Sequence, residues 1–153
     1  MIAYRITNSI YSDDLSGTGA KLAGARWNTR GIAMLYTTEH ISLAVLEMLV
    51  HTHFKDYAID LDLITIQIPT TATPAEINVK KLKNGWANDL AYTRFIGDEF
   101  VKDNQRLLMK VPSAVIHEEF NCIINPAHAD FKKIKILKTK SFKTDQRLFS
   151  INE

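Results

Sequence analysis

Ile41-Ser-Leu-Ala-Val-Leu-Glu-Met-Leu-Val50 is one of the most apolar stretches of the chain, and a carboxylate stands in its middle. The run holds no Gly or Pro and follows Thr37-Thr38-Glu39. Either Thr can cap a helix, and Glu39 suits the positive end of its dipole, so the spacing predicts a helix from about Glu39 to His53. The segment before it, Ile32 to Tyr36, reads as a strand. The segment after it, Ile59 to Ile68, alternates apolar and polar residues and reads as a strand with one register break between Leu63 and Ile64. Glu47 is the anomaly. A carboxylate carried into a packed interior costs several kcal/mol unless it is paired. Helical spacing sets Leu43, Ala44, Val50 and His51 beside it, none an evident cation. Glu47 therefore reads either as a site residue or as part of the polar stripe of an amphipathic helix.

Outward from this helix, Ile2 to Ile6 forms a first short strand. Residues 8 to 30 form a long loop with Gly17, Gly19 and Gly24, and loops of that length are often functional. Pro69 and Pro74 bracket another loop, and Asn84-Gly85 is a turn. Asn88 to Val101 is a second helix. Leu107 to Val111 and Ala114 to Ile116 are short strands around Pro112. Asn125-Pro126 has the form of a helix cap followed by proline, and Phe131 to Phe142 is a last strand. Strands and helices mix without a regular βαβ rhythm, which gives an α+β class: one domain over residues 1–153, mixed sheets with flanking helices.

Composition bounds the function. The 153 residues are 46% hydrophobic and 24% charged with a net charge of +2, ordinary for a globular domain and too small an imbalance to call for nucleic acid or a membrane. Cys122 is the only cysteine, so no internal disulfide forms and a reducing cytoplasm fits. The N-terminus has no signal-peptide pattern, and no apolar run approaches the roughly 20 residues of a membrane span. Gly17-Thr-Gly19 lacks the third glycine of a dinucleotide fingerprint. His51 and His53 are two apart on a helix and cannot face one metal together; no metal site is expected. The lysines from Lys132 to Lys143 read as protection of a sheet edge rather than a nucleic-acid surface.

Four polar side chains stand out: Arg26 in Gly24-Ala-Arg-Trp-Asn28, Tyr36, Glu47, and Ser113 in Val111-Pro-Ser-Ala-Val115. Singly, each has a plain structural explanation: a surface ion pair, a core aromatic, a helix's polar stripe, a hydroxyl at a strand kink. Together with Tyr4-Arg5, Gly17-x-Gly19-Ala20, Ala44-Val-Leu-Glu47 with His51, Gly85-Trp86 and Asn125-Pro-Ala-His128, they resemble the RES domain, a family named for an Arg, a Glu and a Ser. Those correspond to Arg26, Glu47 and Ser113. The resemblance runs from Tyr4 to about Arg147, with one departure: Ala25 stands where the family usually has a second glycine.

That resemblance implies a fold like that of ADP-ribosyltransferases, and the toxin of a bacterial toxin–antitoxin pair that consumes NAD as substrate, with no cofactor. It also implies an Xre-type antitoxin that covers the active site. Expelling neutral nicotinamide from a cation needs no strong general acid, and anionic charge near the ribose helps. Glu47 is expected to hold the ribose hydroxyls and stabilise the oxocarbenium-like state. Arg26 is expected to grip the pyrophosphate or ribose, with Arg5 as a second phosphate contact. Tyr36 would stack on the nicotinamide ring, and Ser113 would orient the ribose or the carboxamide. Asn28 and Asn125 would be polar wall groups. The acceptor is left open between water and phosphate. Transfer of ADP-ribose to a protein, and an inactive partner-binding module, are the competing readings.

Overall fold

A computed structural model describes residues 1–51 and 60–148. Its strands are β1 (Ile2–Asn8), β2 (Leu35–Thr38), β3 (Leu61–Gln67), β4 (Ala75–Glu76), β5 (Leu108–Pro112), β6 (Phe120–Ile124) and β7 (Lys135–Phe142). Its α-helices are α1 (Thr18–Ala23), α2 (Ile41–His51) and α3 (Leu90–Asp103). The strands form one mixed sheet in the order β4-β5-β6-β2-β1-β3-β7, antiparallel except for the β4–β5 pair. The α+β class is as expected, in a single sheet. The expected helix residues 52 and 53, and the strand residue Ile59, lie outside the described residues.

Because side chains alternate across a strand, the two faces of the sheet bury two cores. One holds Ala3, Leu35, Ile64, Ile66, Cys122 and Ile124. The other holds Trp27, Met34, Trp86, Met109, Val111 and Ile123. The expected register break in β3 is absent from its pairing with β1, which runs unbroken from Ile2↔Gln67 to Asn8↔Leu61. Leu63 and Ile64 are both buried because β3 is covered on both faces there. The irregularity lies opposite, in β7, where Leu137 is the extra residue between the partners of Thr65 and Ile66. β7 is an edge strand, and Lys135, Lys138 and Lys140 are exposed on it.

Three expectations are corrected. The loop of residues 8–30 contains α1, bounded by Gly17 and Gly24 at φ +72° and +71°. A Cβ on Gly17 would also lie 2.7 Å from the Met34 backbone, so glycine is required twice over there. Ala114 to Ile116 is a turn rather than a strand: the Ser113 hydroxyl accepts from the N–H groups of Val115 and Ile116 and closes it, and the chain returns as β6. Pro126 starts no helix. Asn125 Oδ1 accepts from Ala127 N, and the 3-10 turn Ala129–Lys133 that follows is capped by His128.

The sheet is held thinly at one seam. β1 and β2 share a single pair, Tyr4↔Thr38, and then diverge. α2 packs across both strands there. A cleft opens there, floored by the edges of β1 and β2 that do not pair with each other.

Candidate active site

A cavity of about 920 Å³ occupies that cleft, large for a ligand pocket and roomy enough for a dinucleotide. Tyr4 to Asn8 line one side and Tyr36 to Thr38 the other. Glu47, Met48 and His51 enter from α2, and Ala25 and Arg26 from the segment after α1.

Glu47 is half-buried, and its polar partners are precise. Oε1 accepts from Ser113 Oγ at 2.8 Å and from Asn121 Nδ2 at 2.6 Å. Oε2 has no protein partner among the described residues. Ser113 is fully buried and does not line the cavity. With two backbone N–H groups donating to its oxygen, its single proton is aimed at Glu47. Ser113 thus meets the carboxylate rather than the ribose or carboxamide it was expected to orient. Asn121 was not foreseen. It sits in Phe120-Asn-Cys-Ile-Ile124, and the available signal was an amide alternating onto the same face as Ile123, in an otherwise apolar strand.

Arg26 lines the cavity with its Nη1 donating to the Ala87 carbonyl. Its loop is clamped by one face of α3. Thr93 Oγ1 donates to Arg26 O (2.6 Å), Arg94 Nε to Ala25 O (2.8 Å), and Asp98 accepts from both the N–H and the hydroxyl of Thr29. Gly97 lets the helix approach: a Cβ there would sit 1.7 Å from Trp27 O. This clamp was also missed, although the spacing 93, 94, 97, 98 marks one helical face and Asp98 is a buried acid. Ala25 does not have a positive φ, so its methyl is accommodated without backbone strain.

Tyr36 lines the cavity, but its hydroxyl points into the wall. It donates to Asn28 Oδ1 (2.8 Å) and accepts from Trp27 N (3.0 Å). Burial pushes its phenol well above the ordinary tyrosine range, so it stays protonated. Trp27 packs 5.9 Å from Trp86, and its indole N–H is buried without a partner among the described residues, at a cost of about 1–3 kcal/mol. Arg5 lines the cavity and donates to Asp14 O at 2.6 Å; burial lowers its pKa, partly offset by Asp14.

Two expected wall groups stand elsewhere. Asn28 is fully buried behind Tyr36, and its Nδ2 donates to the carbonyls of Ala20, Ile32 and Thr29. It ties the loop that carries Arg26. Asn125 is fully buried at the end of β6, where Nδ2 donates to Asn104 Oδ1 and the main chain pairs with Leu107. It anchors the end of α3, away from the cavity. Arg5, Arg26, Tyr36 and Glu47 are the expected residues that the fold brings to one cavity, with Ser113 directly behind Glu47. Among the described residues no three His, Cys, Asp or Glu side chains group as a metal site, and no helix is long and apolar enough to cross a membrane.

Comparison with known proteins places the chain in a family. The profile of the RES domain matches residues 2–147. A protein of Photorhabdus laumondii named Toxin Res is 38% identical over 152 residues, covering 97% of each chain. A protein of Sphingobium sp. named Prs ADP-ribosylating toxin is 36% identical over 146 residues, covering 90% of this chain and 88% of that one. Among solved structures, the M. tuberculosis MbcT-MbcA toxin-antitoxin complex contains a chain with the same fold. Its TM-score is 0.76 at 18% identity, covering 92% of this chain and 83% of that one. The chain belongs to the RES domain family, beside relatives that carry the names of toxins.

Proposed function

We propose that this chain is the toxin of a toxin–antitoxin pair and acts by cleaving the bond between nicotinamide and ribose in NAD. One observation carries the reading: Glu47 is fixed through Oε1 by Ser113 and Asn121, with Oε2 left over, in a cavity that also holds Arg5 and Arg26. As the C–N bond breaks, its electron pair goes to the pyridinium nitrogen and neutral nicotinamide leaves. Positive charge develops on the ribose, and the Glu47 carboxylate stabilises it. Water or phosphate then adds to the anomeric carbon and the surplus proton goes to solvent. Arg26 and Arg5 hold the pyrophosphate, and the Tyr36 ring flanks the nicotinamide. Ser113 acts through Glu47. The protein partner is an antitoxin, in keeping with the relative solved as a toxin-antitoxin complex, and an Xre-type chain that closes the cavity fits this reading.

Transfer of ADP-ribose to a protein is the second reading, favoured by the relative named Prs ADP-ribosylating toxin. The same pocket serves both chemistries. Expression of the wild-type chain alone, against Glu47→Gln, tests toxicity. Growth arrest relieved by the variant is expected, and healthy cells rich in folded wild-type protein contradict it. Mass spectrometry of the arrested cells separates the two chemistries: NAD loss without a modified protein marks cleavage, and one ADP-ribose on a particular protein marks transfer.

A further inference from the structure

β7 forms one edge of the sheet, and its lysines are sorted by face. Lys140 pairs across from Leu63, Lys138 from Thr65 and Lys135 from Gln67. Residues directly opposite share a face, and Leu63, Thr65 and Gln67 alternate onto a single one. The extra residue Leu137 makes this possible. Lys135 and Lys138 are three apart, and an unbroken strand would send them to opposite faces. All three lysines are exposed, and none has an ion pair among the described residues. Protection of a sheet edge calls for charge on the strand but is indifferent to its face, so the sorting has another cause.

That face leads to the cavity. Phe142 pairs with Leu61 and Leu61 with Asn8, and all three line it, as does the exposed Lys143. At about 3.3 Å per residue the stripe runs roughly 20 Å beside β3, from the level of Gln67 to that of Leu61, with a lysine about every 7 Å. It ends at the cavity that holds Arg5 and Arg26. Of the acids nearby, Asp60 lines the cavity. Asp62 is on the other face and accepts from Ser12, and Asp130 is paired with Lys133.

We propose that Lys135, Lys138, Lys140 and Lys143 form a cationic track that draws the anionic dinucleotide into the cavity. The three lysines on β7 act through their field and not through contact with the bound substrate. The field of an exposed charge reaches about 10 Å at 0.1 M salt, and a cleft at its end concentrates it. The inference rests on the NAD-cleaving function proposed above and adds to that site a means of capturing its substrate.

The test is steady-state kinetics with NAD from about 0.02 to about 0.5 M salt. Lys138→Glu/Lys140→Glu is compared with Lys80→Glu/Lys81→Glu, which makes the same change of net charge on exposed residues at the opposite edge of the sheet, beyond β4. At the low-salt end the β7 variant should raise KM about three- to tenfold with kcat unchanged, and the control less than about twofold. The difference should vanish at high salt. Replacement of the same lysines by glutamine carries the comparison, with a smaller shift, if charge reversal prevents folding. Equal KM in the two variants, or a loss that persists at high salt or falls on kcat, overturns the inference while leaving NAD cleavage intact. A folded wild type that neither binds nor consumes NAD overturns it together with the reading beneath it.

Discussion

Ser113 and Glu47 lie 66 positions apart in the chain and meet in a hydrogen bond of 2.8 Å. Glu47 comes from the helix that spans the β1–β2 seam, and Ser113 from the turn after β5. The same serine closes its own turn, so the geometry of the carboxylate and the reversal of the chain are set by one side chain.

Ser113→Ala should therefore act on both. The N–H groups of Val115 and Ile116 lose their acceptor, which costs about 1–3 kcal/mol of stability. Glu47 loses one of two charged hydrogen bonds, and kcat for NAD should fall about 10- to 100-fold with KM little changed. Denaturant melts and steady-state kinetics check the two effects separately. A large rise in KM at constant kcat would show instead that Ser113 holds the substrate.

Gly97→Ala tests the clamp on Arg26. A methyl 1.7 Å from Trp27 O must push α3 off the loop, at about 3 kcal/mol or more, or about 10 °C in Tm. Since the loop carries Arg26, NAD affinity should fall with it. An unshifted melting temperature would show that the helix does not press on the loop as described.

The comparison with Asn125 is the opposite case. Asn125→Ala removes bonds to Asn104 and Ala127, remote from the cavity, so it should cost about 2 kcal/mol in stability. Well below its melting temperature, kcat/KM should stay within about twofold of wild type. Calorimetry and kinetics on the same sample decide, and a selective loss of NAD affinity would return Asn125 to the site.

Cys122 gives a prediction in pH. Burial pushes its thiol from 9.0 up to about 12, with Glu39 adding to the shift and Lys110 opposing it. The folded state holds the proton where the unfolded chain would release it. Any stability from this is fully present below pH 9 and is lost as pH rises from 9 toward 12. Tyr36 is shifted in the same direction. Thiol-reactive dyes at pH 8 should label Cys122 only on unfolding, and rapid labelling of the native protein contradicts the buried, protonated thiol.

The sequence was most legible where local pattern and global packing agreed. β1, α2, α3 and β7 stand close to their expected places because each has a clear period or cap; Asp89, for example, accepts from Tyr92 N at the start of α3. β6 was hidden because the apolar run at Ala114 to Ile116 imitated a strand, while a side-chain bond at Ser113 turned the chain there. β4 is two residues long and owes its form to β5. For the site, Arg26, Tyr36 and Glu47 were visible as polar residues in apolar settings. Asn28 and Asn125 looked the same, but the fold spends the Asn28 amide on the carbonyls of Ala20, Thr29 and Ile32 and the Asn125 amide on Asn104 and Ala127. Asn121 and the α3 clamp depend on contacts across more than 60 positions, which local spacing does not encode.

The central claim is that Glu47 promotes cleavage of NAD. It is tested most directly by following NAD loss and nicotinamide release by chromatography, with purified wild type and Glu47→Gln, with and without phosphate. Glutamine keeps the shape and removes the charge, so turnover should fall by at least about 100-fold in a variant that melts like wild type. The phosphate dependence of the wild type then identifies the acceptor. Equal NAD loss by both proteins, or none by folded wild type in either buffer, would contradict the account.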